Sequence, residues 1–224
     1  DDSIAKKKYD KVLANPHVFP ANCTHSGNYM AYDFFPGKTL YEFNNPVAFG
    51  ELLNWLETSV WKDCDADIHH ASIEFYKTKS LGRINKFLEK YPNIKNVTNI
   101  DNVVVKDYNY YLNKIDWEYL ATVTRPGFLH GDLQFDNIVV SDSGEFKIID
   151  WRHEFAGIVE YGDIYYDLAK MAGGLIINYA NIKNHNFNIE IDNDSVTLSI
   201  PNVEHITVYQ ERLKKYILAN NLDY

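Results

Sequence analysis

The sequence predicts an α+β domain, helical over most of its length, with its chemistry concentrated on one β-hairpin. Stretches at about 46–61, 68–91 and 163–179 carry apolar residues at helical spacing. Two apolar runs, Ile138-Val139-Val140 and Phe146 to Ile149, flank the turn-like Ser141-Asp142-Ser143-Gly144, which makes a hairpin. A second alternating pair, Phe187 to Ile191 and Val196 to Ile200, brackets Asp192-Asn193-Asp194-Ser195 in the same way.

In chain order, Ile4, Tyr9, Val12 and Leu13 recur among lysines over residues 3–14, so a short helix is expected there, ending before Asn15-Pro16. Lys6-Lys7-Lys8 reads as its solvated face, with no function assigned. Two strands are expected next, Val18 to Thr24 and Asn28 to Phe35, around the turn His25-Ser26-Gly27. Asn45 and Pro46 make an N-cap with proline at the first helical position, and Phe49, Leu52, Leu53, Leu56 and Val60 follow on one face. The next helix is expected to bury a stripe from Ile73 through Tyr76, Ile84, Phe87, Leu88 and Tyr91, with Pro92 beyond its end. Residues 93–114 give only Val103-Val104-Val105 as strand-like. Ile115 to Thr124 reads as a helix with Trp117, Leu120 and Ala121 inward, and a last helix over about 203–220 buries Ile206, Tyr209, Leu213, Tyr216 and Ile217.

At 224 residues and 46% hydrophobic, the chain can bury a core. A formal charge of −9 without a basic stripe excludes nonspecific nucleic-acid binding and mildly favours a cationic partner. No apolar run approaches the ~20 residues needed to span a bilayer, so no membrane insertion is expected. Cys23 and Cys64 have neither metal-ligand spacing nor the count of a disulfide framework, which suits a reducing, cytoplasmic setting. Oligomeric state is not encoded in any pattern here. Gly37-Lys38-Thr39 resembles the end of a P-loop, but Tyr32 stands where the motif needs its other glycine.

The chemistry gathers in residues 128–151. Asn137 leads into the first strand of the hairpin and Asp150 ends the second, so the fold brings them together. An amide oxygen beside a carboxylate suits Mg²⁺, a hard ion that shares oxygen ligands with substrate phosphates. Asp132 is left to accept a proton.

His130, Asp132, Leu133, Asn137 and Asp150 match the kinase pattern His-x-Asp-Leu-x-x-x-Asn followed by a strand ending in a metal-binding Asp. The forms His130-Gly131-Asp132 and Ile149-Asp150-Trp151, with Gly162-Asp163 and Asp167-Leu168-Ala169 downstream, resemble the aminoglycoside phosphotransferase and choline kinase family, including bacterial surface-polysaccharide kinases. That resemblance implies a protein kinase-like fold, with the remnant of a β-rich N-terminal lobe over residues 1–33 and a mostly helical C-terminal catalytic lobe over 34–224. It implies ATP-dependent phosphoryl transfer to a hydroxyl of a small molecule, choline-like, sugar or aminoglycoside-like. Asp132 would be the base and His130 its companion in the catalytic loop, steadying it. Asn137 and Asp150 would hold Mg²⁺, and Asp33, Phe34 and Phe35 would form the hinge that pairs with adenine, Asp33 and Phe35 through backbone groups. Asp163 or Asp167 would bond the loop's backbone. Arg152 departs from the family's acidic residue, which puts substrate contacts there in question. The glycine-rich loop and strand lysine of kinases have no counterpart before the hinge, so the chain is expected to lack much of that lobe. The alternative is a pseudokinase or nucleotide-binding module without catalysis.

Overall fold

The structure, a computed structural model, describes residues 2–43, 45–201, 204–220 and 222. Helix α1, Asp2–Ala14, forms as its spacing predicts. The strand expected from Val18 does not: Pro16 opens a single 3₁₀ turn, Pro16–Val18, and Val18 and Phe19 are buried as plugs rather than paired. Proline at the start of a tight turn has its φ already set and needs no amide donor. The pairing shrinks to β1, Thr24–Ser26, and β2, Tyr29–Ala31, in register Thr24 to Ala31.

After an extended run, β3, Lys38–Thr39, pairs antiparallel with the later hairpin. Gly37 passes so close to it that a Cβ there would sit 2.4 Å from the Val140 carbonyl oxygen. Helix α2, Pro46–Trp55, starts as its cap predicts: the Asn45 side chain accepts from Val47 and Ala48 N–H. A π-helical turn, Leu56–Val60, continues it, and Phe49, Leu52, Leu53, Leu56 and Val60 are all buried. Burying each such side chain stabilises by roughly 1.5–3 kcal/mol, so the stripe anchors the helix.

Strand β4, Lys62–Asp63, precedes helix α3, His69–Ile73, which runs through a π-helical turn into α4, Lys79–Lys90. Of the expected stripe only Leu88 is fully buried; Ile73, Tyr76 and Ile84 are half-buried, and Phe87 and Tyr91 are exposed, Phe87 beside an open apolar cleft. In residues 93–114 the strand-like Val103 and Val104 form β6, Val103–Val104, paired with β5, Asn99–Ile100, which no pattern marked, and helix α5, Tyr108–Leu112, follows. Helix α6, Trp117–Thr122, buries Ala121 while Leu120 stays exposed.

Strand β7, Pro126–Phe128, leads into the polar loop, and β8, Ile138–Val140, pairs with β9, Phe146–Ile148, as the hairpin. Strand β10, Gly162–Asp163, opens helix α7, Ile164–Ile176, capped by the Asp163 side chain on the Tyr165 N–H. Helix α8, Tyr179–Lys183, precedes β11, Asn188–Asp192, and β12, Ser195–Ser199, and helix α9, Glu204–Ala219, closes the described chain; its expected first residue, Val203, lies outside the described residues.

The strands form small sheets ordered β1-β2, β10-β7-β4, β11-β12-β5-β6 and β3-β8-β9. The largest core cluster lies between the hairpin and helices α1, α2, α7 and α9, with Trp151, Phe135 and Tyr209 wholly buried in it. Tyr209 stacks on Phe49 at 4.4 Å between ring centroids. Mixed helices and small sheets make the domain α+β, as the patterns predict.

Candidate active site

The loop between β7 and β8 is held from below by α7. The Asp167 carboxylate accepts the backbone N–H of His130 and of Gly131, each at 2.7 Å, and the Trp61 indole N–H at 3.1 Å. Burial pushes this carboxyl up, to about 6, while the backbone N–H donors and the nearby Lys11 ammonium work to keep it charged. Of the two acids expected near the loop backbone, Asp167 makes that contact. Asp163 caps α7 and accepts from the Arg125 N–H and the Tyr76 hydroxyl instead.

His130 is fully buried, at 0% exposure. Its Nε2 lies 2.8 Å from the Ile149 carbonyl, and its Nδ1 accepts the Asp132 N–H at 3.1 Å. A carbonyl can only accept, so Nε2 carries the proton and the ring is the neutral tautomer. Burial holds its pKa down, to about 4. The ring therefore joins the two ends of the loop and does not line the opening.

Gly131 has φ +83°, and a Cβ added to it would meet the Arg152 Cβ at 2.7 Å. Only glycine fits that backbone and that gap. Arg152 lies across the loop, its Nε donating to the Gly131 carbonyl at 3.0 Å and its N–H to the His130 carbonyl at 2.9 Å.

Asp132 is half-buried and accepts from Lys170 at 2.8 Å and Gln134 at 3.1 Å. Burial alone would raise its pKa, but the Lys170 and Gln134 hydrogen bonds outweigh it, so the carboxyl stays below the usual range and ionised. Asn137 donates through Nδ2 to the Asp132 carbonyl at 2.8 Å, and its own carbonyl accepts the Ile149 N–H at 2.9 Å. The hairpin thus brings Asn137 beside the strand end that carries Asp150. Asp150 is 69% exposed along its side chain and has φ +51°, a left-handed conformation costly for a residue with a Cβ. Asn137 Oδ1 and Asp150 are oxygen donors at one end of the hairpin, a set that fits a hard cation. Among the described residues no group of three or more His, Cys, Asp or Glu could hold a metal by itself, so phosphate and water oxygens would have to complete the shell.

Helix α1 packs against the same end; Lys6 stays on a solvated face with Asp10, but Lys7 and Lys8 do not. Lys8 bonds Asp150 at 2.8 Å, Lys7 bonds Glu154, and Lys11, buried, donates to the Leu129 carbonyl at 2.8 Å. Burial lowers the Lys11 ammonium to about 8. The Trp151 indole donates to the Lys8 carbonyl at 2.8 Å. Helical spacing could not have revealed these pairs, because their partners lie far along the chain.

The hinge candidates Asp33, Phe34 and Phe35 lie on the extended run before β3. The Asp33 N–H donates to the Ala21 carbonyl, and its carboxylate accepts from Asn22. Phe34 is 87% exposed, and Phe35 is partly covered. The Phe35 N–H and Asp33 carbonyl, the groups expected to pair with adenine, make no hydrogen bond among the described residues. Tyr32 packs 6.0 Å from the Trp151 ring, so this run begins next to Asp150.

On the other side of Asp132, Lys79 and Arg152 face the rings of Phe75 and Tyr166. A cavity of about 180 Å³ opens there, lined by Glu74, Phe75, Lys79, Arg152, His153, Glu154 and Ala156. A larger cleft, about 520 Å³, lies between α4 and residues 94–112 and is lined by none of the loop's polar groups.

The sequence profile of the phosphotransferase enzyme family matches residues 13–180, well over half of the chain. No curated protein and no solved structure gives a significant match. Lys7, Lys8 and Lys11 precede the matched span, whereas the loop, the hairpin and α7 up to Ile176 lie inside it. This chain belongs to the phosphotransferase enzyme family, of aminoglycoside phosphotransferase and choline kinase type, and has the protein kinase-like fold of that family.

Proposed function

We propose that the protein transfers the γ-phosphate of ATP to a hydroxyl of a small molecule, with residues 1–33 contributing to nucleotide binding and 34–224 forming the catalytic lobe. The observation that carries this reading is the ionised Asp132, braced by Lys170, Gln134 and the His130 ring at the mouth of the loop. Asp132 orients the acceptor hydroxyl and takes its proton as the oxygen bonds to the γ-phosphorus and the bond from that phosphorus to the leaving ADP oxygen breaks. A carboxylate held below its usual pKa is a weak base. It suits a loose transition state, in which the hydroxyl becomes acidic only late.

Asn137 and Asp150 are the residues that would hold Mg²⁺, which when bound neutralises charge on the phosphates. The backbone of Asp33 and Phe35 would pair with the adenine edge, and Phe34 would stand at its rim. His130 is a positioning residue, because its ring meets only the loop and the Ile149 carbonyl.

A binding module without catalysis is the second reading, favoured by Lys8, which occupies the Asp150 carboxylate. Mg²⁺-dependent ADP release by the purified protein, measured with Asp132→Asn beside it, separates the two. Loss of the base should lower the rate by about 10²–10⁴-fold with ATP affinity unchanged. An unaltered rate in the variant would remove Asp132 from its role, and ATP binding without turnover would favour the module.

A further inference from the structure

A group of basic side chains, Lys79, Arg152 and Lys170, lies beside Asp132. Lys79 Nζ is buried with no hydrogen-bond partner and sits 2.9 Å from the centre of the Phe75 ring and 5.3 Å from that of Tyr166. The Arg152 guanidinium lies 5.3 Å and 6.0 Å from the same two rings, and its one polar contact through the side chain is with a carbonyl, at Gly131. Neither cation makes a salt bridge among the described residues, and the two repel each other, with Arg83 and Lys170 adding to the repulsion at Lys79 and the Asp132 carboxylate partly offsetting it. Burial first, then these cations, lowers the Lys79 ammonium to about 7. Of the two acids lining the opening, Glu154 feels Arg152 but is bonded to Lys7, and Glu74 is exposed.

Two cations that no salt bridge holds, one with a buried ammonium that makes no hydrogen bond, are open to a ligand of opposite charge at this cavity. Their place bears on what that ligand is, because they line a cavity beside the catalytic loop, where Arg152 bonds the Gly131 carbonyl and Lys79 feels the Asp132 charge. We propose that the acceptor is an alcohol bearing an oxyanion, a phosphate or a carboxylate, which seats between Lys79 and Arg152 while its hydroxyl meets Asp132. This rests on the phosphotransferase reading of the site and reverses the weak preference for a cation that net charge suggests. Net charge averages over the whole surface, whereas the cavity is lined by two specific side chains. Arg152 is also the position at which the family's usual acid is replaced, a change of sign where the acceptor would be met.

The test uses the full chain and four matched small alcohols: glycerol, glycerate, glycerol 3-phosphate and choline. Their binding is measured by calorimetry with and without ATP, and ADP release is followed with Mg²⁺. The anionic alcohols are expected to bind at least about tenfold more tightly than glycerol or choline, and Lys79→Met should abolish that preference while ATP affinity is unchanged. Arg152→Lys, which keeps the charge, should retain part of it. Equal or tighter binding of choline or glycerol, a preference that survives Lys79→Met, or no anion binding up to about 10 mM would each overturn the proposal. Anion binding that depends on Lys79, with no alcohol phosphorylated in the presence of Mg²⁺ and ATP, would leave the anion site standing and sink the phosphotransferase reading instead.

Discussion

His130 shows what a single side chain contributes when both ring nitrogens are used internally. Its folded pKa is near 4 because burial penalises the cation, against about 6.5 in the unfolded chain. Between those values the unfolded state binds the extra proton, so stability is fully present above about pH 6.5 and falls as the pH drops toward 4, by roughly 3 kcal/mol. Urea denaturation across that range should show the loss, and His130→Asn should flatten it. The identities of His130, Asp132, Asn137 and Asp150 were legible in sequence because their spacing is local to one hairpin. The partners Lys8, Lys79 and Lys170 were not, since each meets the loop from another element, and Arg152, singled out in the sequence, was not expected to bond the Gly131 carbonyl. Lys8 and Asp150 touch across 142 positions, a separation no periodicity spans.

At the level of elements, α7 is the floor of the site. One carboxylate, Asp167, joins it to the loop through two N–H groups and to α2's π-helical extension through Trp61, the residue after that turn. Asp167→Ala should leave those donors buried and unpaired, lowering stability by about 3 kcal/mol, less the cost of burying the acid itself. Turnover should fall with ATP affinity unchanged, because no hydrogen bond joins the hinge run to α7 among the described residues; thermal melts and a kcat-against-KM comparison read the two effects separately. Helices with a full apolar face and a good cap, such as α2, could be read from the sequence. The strand expected from Val18 could not, because the apolar character of Val18 and Phe19 serves a buried plug between prolines 16 and 20. The stripe along α4 misled for a similar reason: Phe87 lines an open cleft and Tyr91 stays exposed, and helical spacing marks a face without saying that anything covers it.

Across the whole molecule, buried apolar contact is unevenly spread. Strands β8 and β9 sit in the main core, while every residue of β11 is exposed and β12 is only half covered. Native-state hydrogen exchange should therefore give amides of residues 188–199 protection about a hundredfold or more below that of 138–148; equal protection would mean that the outer sheet opens only with the core. The α+β class and the order of the main helices followed from pattern, but the pairing of β12 with β5 did not, because it joins a parallel neighbour from nearly a hundred residues earlier. One close approach in the loop limits what can be substituted there. A Cβ at Gly131 would meet the Cβ of Arg152 at 2.7 Å, an atom that every residue but glycine carries, so shortening the side chain at 152 would not by itself admit one at 131. The loop leaves 152 free to vary in length and charge while 131 stays fixed.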